Sequence, residues 1–194
     1  MWLVVGLGNP GGRYARTRHN VAWAVLDELS ARHGAREAAG HALWRSRRAS
    51  LGGREVELLQ PLTYMNRSGE ALAAWRERHG PESDLLVVCD DVYLPLGRLR
   101  LRADGSSGGH RGLESIAATR GGDDFARLRL GVGAAEDPAA LREHVLEEFT
   151  PDEVPAIEEA VRRAADAVEC WAAEGALAAM NRFNRRMPRE ESET

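Results

Sequence analysis

The chain has 194 residues, 43% hydrophobic and 29% charged, which suits one globular domain that can bury its own core. All 26 basic residues are arginine, against 30 acids for a formal net charge of −4, so a lysine Schiff base and a P-loop lysine are excluded. Two cysteines make no disulfide framework or metal-ligand spacing, no apolar run reaches the roughly 20 residues of a membrane helix, and residues 1–6 lack the basic region of a signal peptide. Secreted, membrane, collagenous and disordered classes are thereby set aside, and a reducing compartment is expected.

In chain order, Trp2 to Leu7 is a short apolar run ending in glycines, the pattern of a buried strand. Asn20 can cap a helix over about 21–33, with Val21, Ala24, Val25 and Leu29 at helical spacing and Gly34 stopping it. Residues 42–51 and 54–60 flank Gly52-Gly53, a hairpin signal. Asn66 or Ser68 opens a helix reaching about His79, before Gly80-Pro81, and Leu85 to Cys89 is a second buried strand. Residues 98–102 alternate Arg and Leu, a strand with one basic face. A polar, glycine-rich loop at 104–109 leads to a helix ending near Thr119, and Arg127 to Gly133 alternates again. Helices are expected over roughly 138–147, 151–174 and 175–186. Strands and helices interleave, so the fold class is α/β with a mixed sheet.

Several stretches carry candidate chemistry. Gly6-Leu7-Gly8-Asn9-Pro10-Gly11 fits the dinucleotide pattern G-x-G-x-x-G, but Pro10 interrupts it and the next helix starts too late. The better reading is a tight turn needing positive φ that presents Asn9 at the C-terminal edge of the sheet. His19 stands just before a helix, where a positive charge is disfavoured and a neutral imidazole suits a general base. Asp90-Asp91 end a strand; one of them could orient His19, although spacing alone does not bring them together. Tyr64-Met65-Asn66 reads as a helix cap with core neighbours, or as part of a site. The 105–112 loop either holds an anion on backbone N–H groups or is a mobile connection. Arg98, Arg100 and Arg102, with Arg127 and Arg129, form a phosphate-binding stripe or a solvated edge. Residues 1–135 carry 19 Arg and 15 acids and residues 136–194 carry 7 Arg and 15 acids, which leaves room for an anionic ligand on the first part. Cys89, in an apolar strand, reads as an inert thiol.

These residues together resemble the bacterial-type peptidyl-tRNA hydrolases. The matching stretches are V-V-G-L-G-N-P-G-x-x-Y-x-x-T-R-H-N (4–20), L-x-P-x-T-Y-M-N-x-S-G (59–69), D-D-V-Y-L-P-L-G (90–97), S-G-G-H-R-G-L (107–113) and R-L-R-L-G-V-G (127–133). The resemblance implies a single domain over residues 1–187, a twisted mixed β-sheet surrounded by helices, with a polar tail at 188–194. It implies hydrolysis of the ester between a peptide and the 3′ ribose of tRNA, which recycles tRNA from prematurely released peptidyl-tRNA. His19 matches the general base, Asp90 the carboxylate behind it, Asn66 the residue that positions water and supports the oxyanion, and Asn9 the contact to the peptide backbone. Tyr14 and Tyr64 match substrate contacts, Met65, His110 and Arg111 fall at expected substrate or tRNA contacts, and Arg100, Arg102 and Arg129 fall among the basic tRNA contacts. The expected partner is the acceptor stem and 3′ end of peptidyl-tRNA, with no metal, cofactor or membrane, for a cytoplasmic monomer.

Three positions depart from the family pattern. Arg111 stands where the family usually has a substrate-binding Asn, Ala22 replaces a usual Gly, and Tyr93 replaces a usual Asp. The alternative function is that of the family's splicing-factor-like relatives, which bind RNA without turnover.

Overall fold

The computed structural model describes residues 1–38, 40–134 and 138–185. The strands are β1 (Trp2–Gly6), β2 (Arg36–Glu37), β3 (Trp44–Leu51), β4 (Arg54–Pro61), β5 (Asp84–Asp91), β6 (Leu99–Arg102) and β7 (Ala126–Gly131). The helices are α1 (Val21–Arg32), α2 (Ser68–His79), α3 (Arg111–Arg120), α4 (Leu141–His144), α5 (Val154–Glu174) and α6 (Ala176–Phe183). The expected polar tail at 188–194 lies outside the described residues.

One seven-stranded sheet runs in the order β2-β3-β4-β1-β5-β7-β6. β1 lies parallel to β4 and β5, and β5 parallel to β7, while β3 and β6 run antiparallel to their neighbours. The chain moves outward from β1 first towards β4 and then towards β5. That reversal makes the C-terminal ends of β4, β1 and β5 the place where an open α/β sheet leaves a crevice. The strands are apolar on both faces because helices cover both. Val4, Leu58, Leu86, Val88 and Leu128 pack towards α1 and α5, while their sequence neighbours Leu3, Val5, Leu59 and Val87 pack towards α2 and α3. That alternation is the period of two along a pleated strand. Glu57 is a fully buried charge in this core. Glu57 of β4 accepts from Ser46 Oγ (2.6 Å), Trp75 Nε1 (2.8 Å) and Arg48 Nε (3.1 Å), so its burial leaves it well bonded.

Four local expectations change. The glycines at 6 and 8 are not at positive φ; that conformation falls on Gly11 (φ 105°). They are needed because α1 packs directly on them: a Cβ at Gly6 would lie 2.7 Å from Leu26, and one at Gly8 2.5 Å from Trp23. Asn20 precedes α1 but makes no side-chain cap, and neither Asn66 nor Ser68 caps α2. The helix expected over 138–147 shrinks to a 3-10 turn and the four residues of α4. Its later carbonyls are diverted: Val145 O accepts from His19 N (2.8 Å) and Glu147 O from Arg18 N (2.9 Å), so they cannot serve a continuing helix. The short β2 was not expected, since two exposed charged residues show no strand pattern.

The β6 edge of the sheet is partly closed off. At β6, Leu101 N donates to Asn184 Oδ1 (2.7 Å) and Asn184 Nδ2 donates to Leu101 O (2.9 Å). Arg98 holds that segment by donating to the carbonyls of Asn184 and Arg185.

Candidate active site

A cleft of about 450 Å³ opens at the C-terminal ends of the parallel strands. Its lining takes in Asn9, Tyr14, His19, Tyr64, Met65, Asn66, Asp90, His110, Arg111 and Arg129 from the sequence reading. Arg100 and Arg102 are not in the lining. They stand exposed on β6, where Arg100 pairs across the ladder with Arg129.

Asn9 follows β1 and is 7% exposed. Its backbone is latched by Asn20: Asn9 N donates to Asn20 Oδ1 (2.8 Å), and Asn20 Nδ2 donates back to Asn9 O (3.0 Å). Asn9 Oδ1 accepts from Met65 N (2.9 Å), which fixes the amide orientation and leaves Nδ2 as a donor facing the cleft. Asn20 therefore holds the site together, a long-range role its local position as a helix cap concealed.

His19 sits in the 3-10 turn before α1. Its Nδ1 lies 2.8 Å from Asp90 Oδ1 at the end of β5. The same oxygen is 3.0 Å from His110 Nε2. Burial alone would raise the pKa of Asp90; electrostatic attraction to the facing His19 ring and the hydrogen bonds from both imidazoles outweigh it and hold this carboxyl well below the usual range. An ionised carboxylate only accepts, so both ring nitrogens facing it are donors. For His19 this leaves the lone pair on Nε2. For His110 the remaining Nδ1 accepts from Gly112 N (3.2 Å) and Leu113 N (3.3 Å), the first turn of α3. His110 thus ties the carboxylate to a helix end, and both its nitrogens are occupied.

His19, Asp90 and His110 place their ligand-type atoms within 4.8 Å of one another. The donor set does not suit a cation. His110 Nδ1 is committed to two backbone N–H groups, so Nε2 keeps its proton and has no lone pair to offer.

The basic residues divide by environment. Arg129 bonds Asp91 Oδ2 (3.2 Å) and the carbonyls of Ser106 (3.1 Å) and Ser107 (2.7 Å), which pins the glycine-rich loop beside the cleft. Arg127 corrects the sequence reading: it is 1% exposed and its guanidinium holds the carbonyls of Asp123, Phe125 and Gly105, so it is no part of a surface stripe. Arg111, the first residue of α3, is exposed and has no partner among the described residues. Leu141, Arg142, Val145 and Leu146 form a wall of the cleft that sequence reading missed. Its attachment runs through backbone bonds to the His19 turn, which leave no pattern in the sequence. Cys89 is buried and its thiol is pushed far up by burial, as an inert core group should be.

A model of the peptidyl-tRNA hydrolase family matches residues 3–192. The chain is 45% identical to a peptidyl-tRNA hydrolase of Chloroflexus aggregans over 95% of this chain and 99% of that protein. It is 48% identical to one of Symbiobacterium thermophilum over 94% and 98% respectively. The crystal structure of a peptidyl-tRNA hydrolase from Acinetobacter baumannii resembles it with a TM-score of 0.88 and 33% identity, covering 97% of this chain and 96% of that one. With a family match over nearly its whole length and relatives more than 40% identical across almost all of it, the chain belongs to the peptidyl-tRNA hydrolase family.

Proposed function

We propose that this chain hydrolyses the ester joining a peptide, or an N-blocked amino acid, to the 3′ ribose of tRNA, and so returns tRNA to translation. The observation that carries this reading is the His19 lone pair on Nε2, fixed by Asp90 and facing an open cleft that also holds Asn9 and Asn66. His19 takes a proton from water as the water oxygen attacks the ester carbonyl. The carbonyl pair moves onto oxygen, where Asn66 and Asn9 Nδ2 supply donors. The intermediate collapses, the C–O bond to the ribose breaks, and the imidazolium returns its proton to the leaving 3′ oxygen. Asp90 holds the imidazole tautomer throughout, and His110 positions Asp90.

Strand order suggests how the substrate lies. Tyr64 and Met65 follow β4, Asn9 and Tyr14 follow β1, Asp90 ends β5, and Arg129 and Arg100 lie on β7 and β6. The peptide belongs on the β4–β1 side, the ester at the centre, and the acceptor-stem phosphates towards Arg129, Arg100 and Arg102. Arg111 adds an unpaired guanidinium suited to a phosphate fork. Among the described residues no helix is long and apolar enough to cross a membrane. Binding RNA without turnover is the weaker reading, because a poised base has no task in it.

The test is release of N-acetylamino acid from N-acetyl-aminoacyl-tRNA. The parent should turn over, and His19→Ala should lose roughly 10²- to 10⁴-fold in kcat while remaining folded. A parent without turnover, or a variant matching it, overturns the assignment.

A further inference from the structure

The chain has three tyrosines, and all of them line the cleft. Two belong to the side assigned to the peptide, Tyr14 and Tyr64, whose rings meet edge to face at 6.5 Å. The third, Tyr93, lies beyond Asp90, in the connection from β5 to β6. Tyr93 is 73% exposed, and its ring stacks on no aromatic or cationic group among the described residues. Its backbone, however, is fixed. Tyr93 N donates to Asp91 Oδ1 (2.8 Å), and Asp91 Oδ2 is itself held by Arg129 (3.2 Å). The result is a bare aromatic face on a rigid mount, next to an arginine that also restrains the glycine-rich loop. Two strands further along the sheet from β5 come Arg100 and Arg102 on β6. Arg111 and Arg142, both exposed and without a partner among the described residues, line the same cleft.

A large exposed ring between an ester-cleaving centre and a basic strand fits one part of the substrate. Between the esterified ribose and the duplex lie unpaired nucleotides, whose bases are recognised by stacking on aromatic side chains. We propose that Tyr93 is a stacking platform for an unpaired nucleobase of the substrate's 3′ end. This inference rests on the proposed hydrolysis of peptidyl-tRNA and adds a specificity-determining residue to it. The aspartate usual at this position has no π-face and would repel the adjoining phosphates. Stacking here therefore strengthens the hold on the nucleotide side without touching the reacting atoms.

Two measurements decide it. In the first, Tyr93→Ala is compared with the parent on N-acetyl-aminoacyl-tRNA. KM should rise roughly 5- to 100-fold, the cost of one lost base stack, with kcat within about twofold. Tyr93→Phe should stay close to the parent. In a double-mutant cycle, making one of the unpaired 3′ positions abasic should remove the difference between parent and Tyr93→Ala. An unchanged KM overturns the proposal. So does a loss that persists with every abasic substrate, or one that vanishes only when the amino-acid side chain is changed, which would place Tyr93 on the peptide. The second measurement needs no turnover. An uncharged RNA hairpin with 2-aminopurine in its unpaired 3′ end should be quenched on binding the parent and not on binding Tyr93→Ala. Equal quenching by both overturns the stacking role even where hydrolysis proceeds. Absence of hydrolysis by the parent overturns the enzymatic reading instead, and the quenching still decides what Tyr93 does.

Discussion

Replacing His110 by alanine removes three hydrogen bonds at once: the bond from Nε2 to Asp90 and the two that Nδ1 accepts from the start of α3. The two jobs can be weighed separately. Asp90 is 2% exposed and ionised, so losing a donor to it costs about 1.5–3 kcal/mol. Losing the cap costs about 1 kcal/mol. The sum, roughly 2.5–4 kcal/mol, corresponds to a fall in Tm of about 5–15 °C for a chain of this size. His110→Asn separates the contributions. Its shorter side chain still offers an oxygen to the α3 N–H groups but cannot reach Asp90, so it should recover about 1 kcal/mol of the loss. The remaining deficit should depend on pH. The Asp90 carboxyl is depressed in the folded state, so its bonds stabilise fully above an unfolded value near ~3.9 and lose their contribution as pH falls towards the folded value. Urea unfolding of parent, Ala and Asn variants at pH 7 and pH 3 measures all of this. The gap between parent and Asn variant should narrow in acid. Equal destabilisation by Ala and Asn, with a gap indifferent to pH, would refute the reasoning.

Replacing Arg100 and Arg102 together by Gln should raise KM for tRNA-linked substrates and reduce the slope of log binding against log salt by about 2, while a short esterified fragment without the acceptor stem is unaffected. An equal effect on both substrates would assign these arginines to the fold or the ester centre. Arg111→Glu should leave the unfolding free energy within about 0.5 kcal/mol, because the side chain is exposed and has no partner among the described residues. Its KM for tRNA substrates should rise roughly tenfold at low salt and less at high salt, and unchanged tRNA binding would remove its phosphate role. For Glu57, burial alone would raise the carboxyl, but Ser46, Trp75 and Arg48 outweigh it and hold it below the ordinary range. Its contribution is therefore complete above the unfolded value near ~4.3 and is lost as pH falls. Glu57→Gln should cost about 1–3 kcal/mol at pH 7 and little at pH 3, read by urea unfolding; a pH-independent cost would mean the charge itself is not what stabilises.

What could be read in advance depended on the range of the interactions. β1 and β5 are continuous apolar runs, and α5 carries a regular apolar stripe, so local composition was enough to find them. β2 has no such pattern; it exists only because Arg36 and Glu37 meet Arg48 and Arg47 of β3. α4 stops early because the carbonyls of Val145 and Glu147, just beyond it, are taken by a turn more than a hundred residues away in sequence. In the site, His19 and Asp90 stood out as chemistry-bearing residues at element ends. Their meeting across 71 positions followed only from the family resemblance, not from local pattern, and the arrival of His110 at the same oxygen followed from neither. Arg127 and Arg129 look alike in an alternating strand. Only the packing of the 105–109 loop over them distinguishes a buried clamp from one that borders the cleft.

The treatment of the sheet margins bears on how the protein behaves in a crowded solution. An unpaired strand edge is a template onto which another polypeptide can add, the first step of many aggregates. At β6 the Asn184 amide occupies the donor and acceptor of Leu101, the middle of a four-residue strand, as an incoming chain would. Arg100 and Arg102 flank that position, so any second copy approaching edge-on meets charge repulsion as well as a filled ladder. At the opposite margin β2 is two residues long and wholly charged. The arginines that suit β6 to a polyanion therefore also discourage self-association, and the basic strand can stay open to solvent without becoming a seed for aggregation.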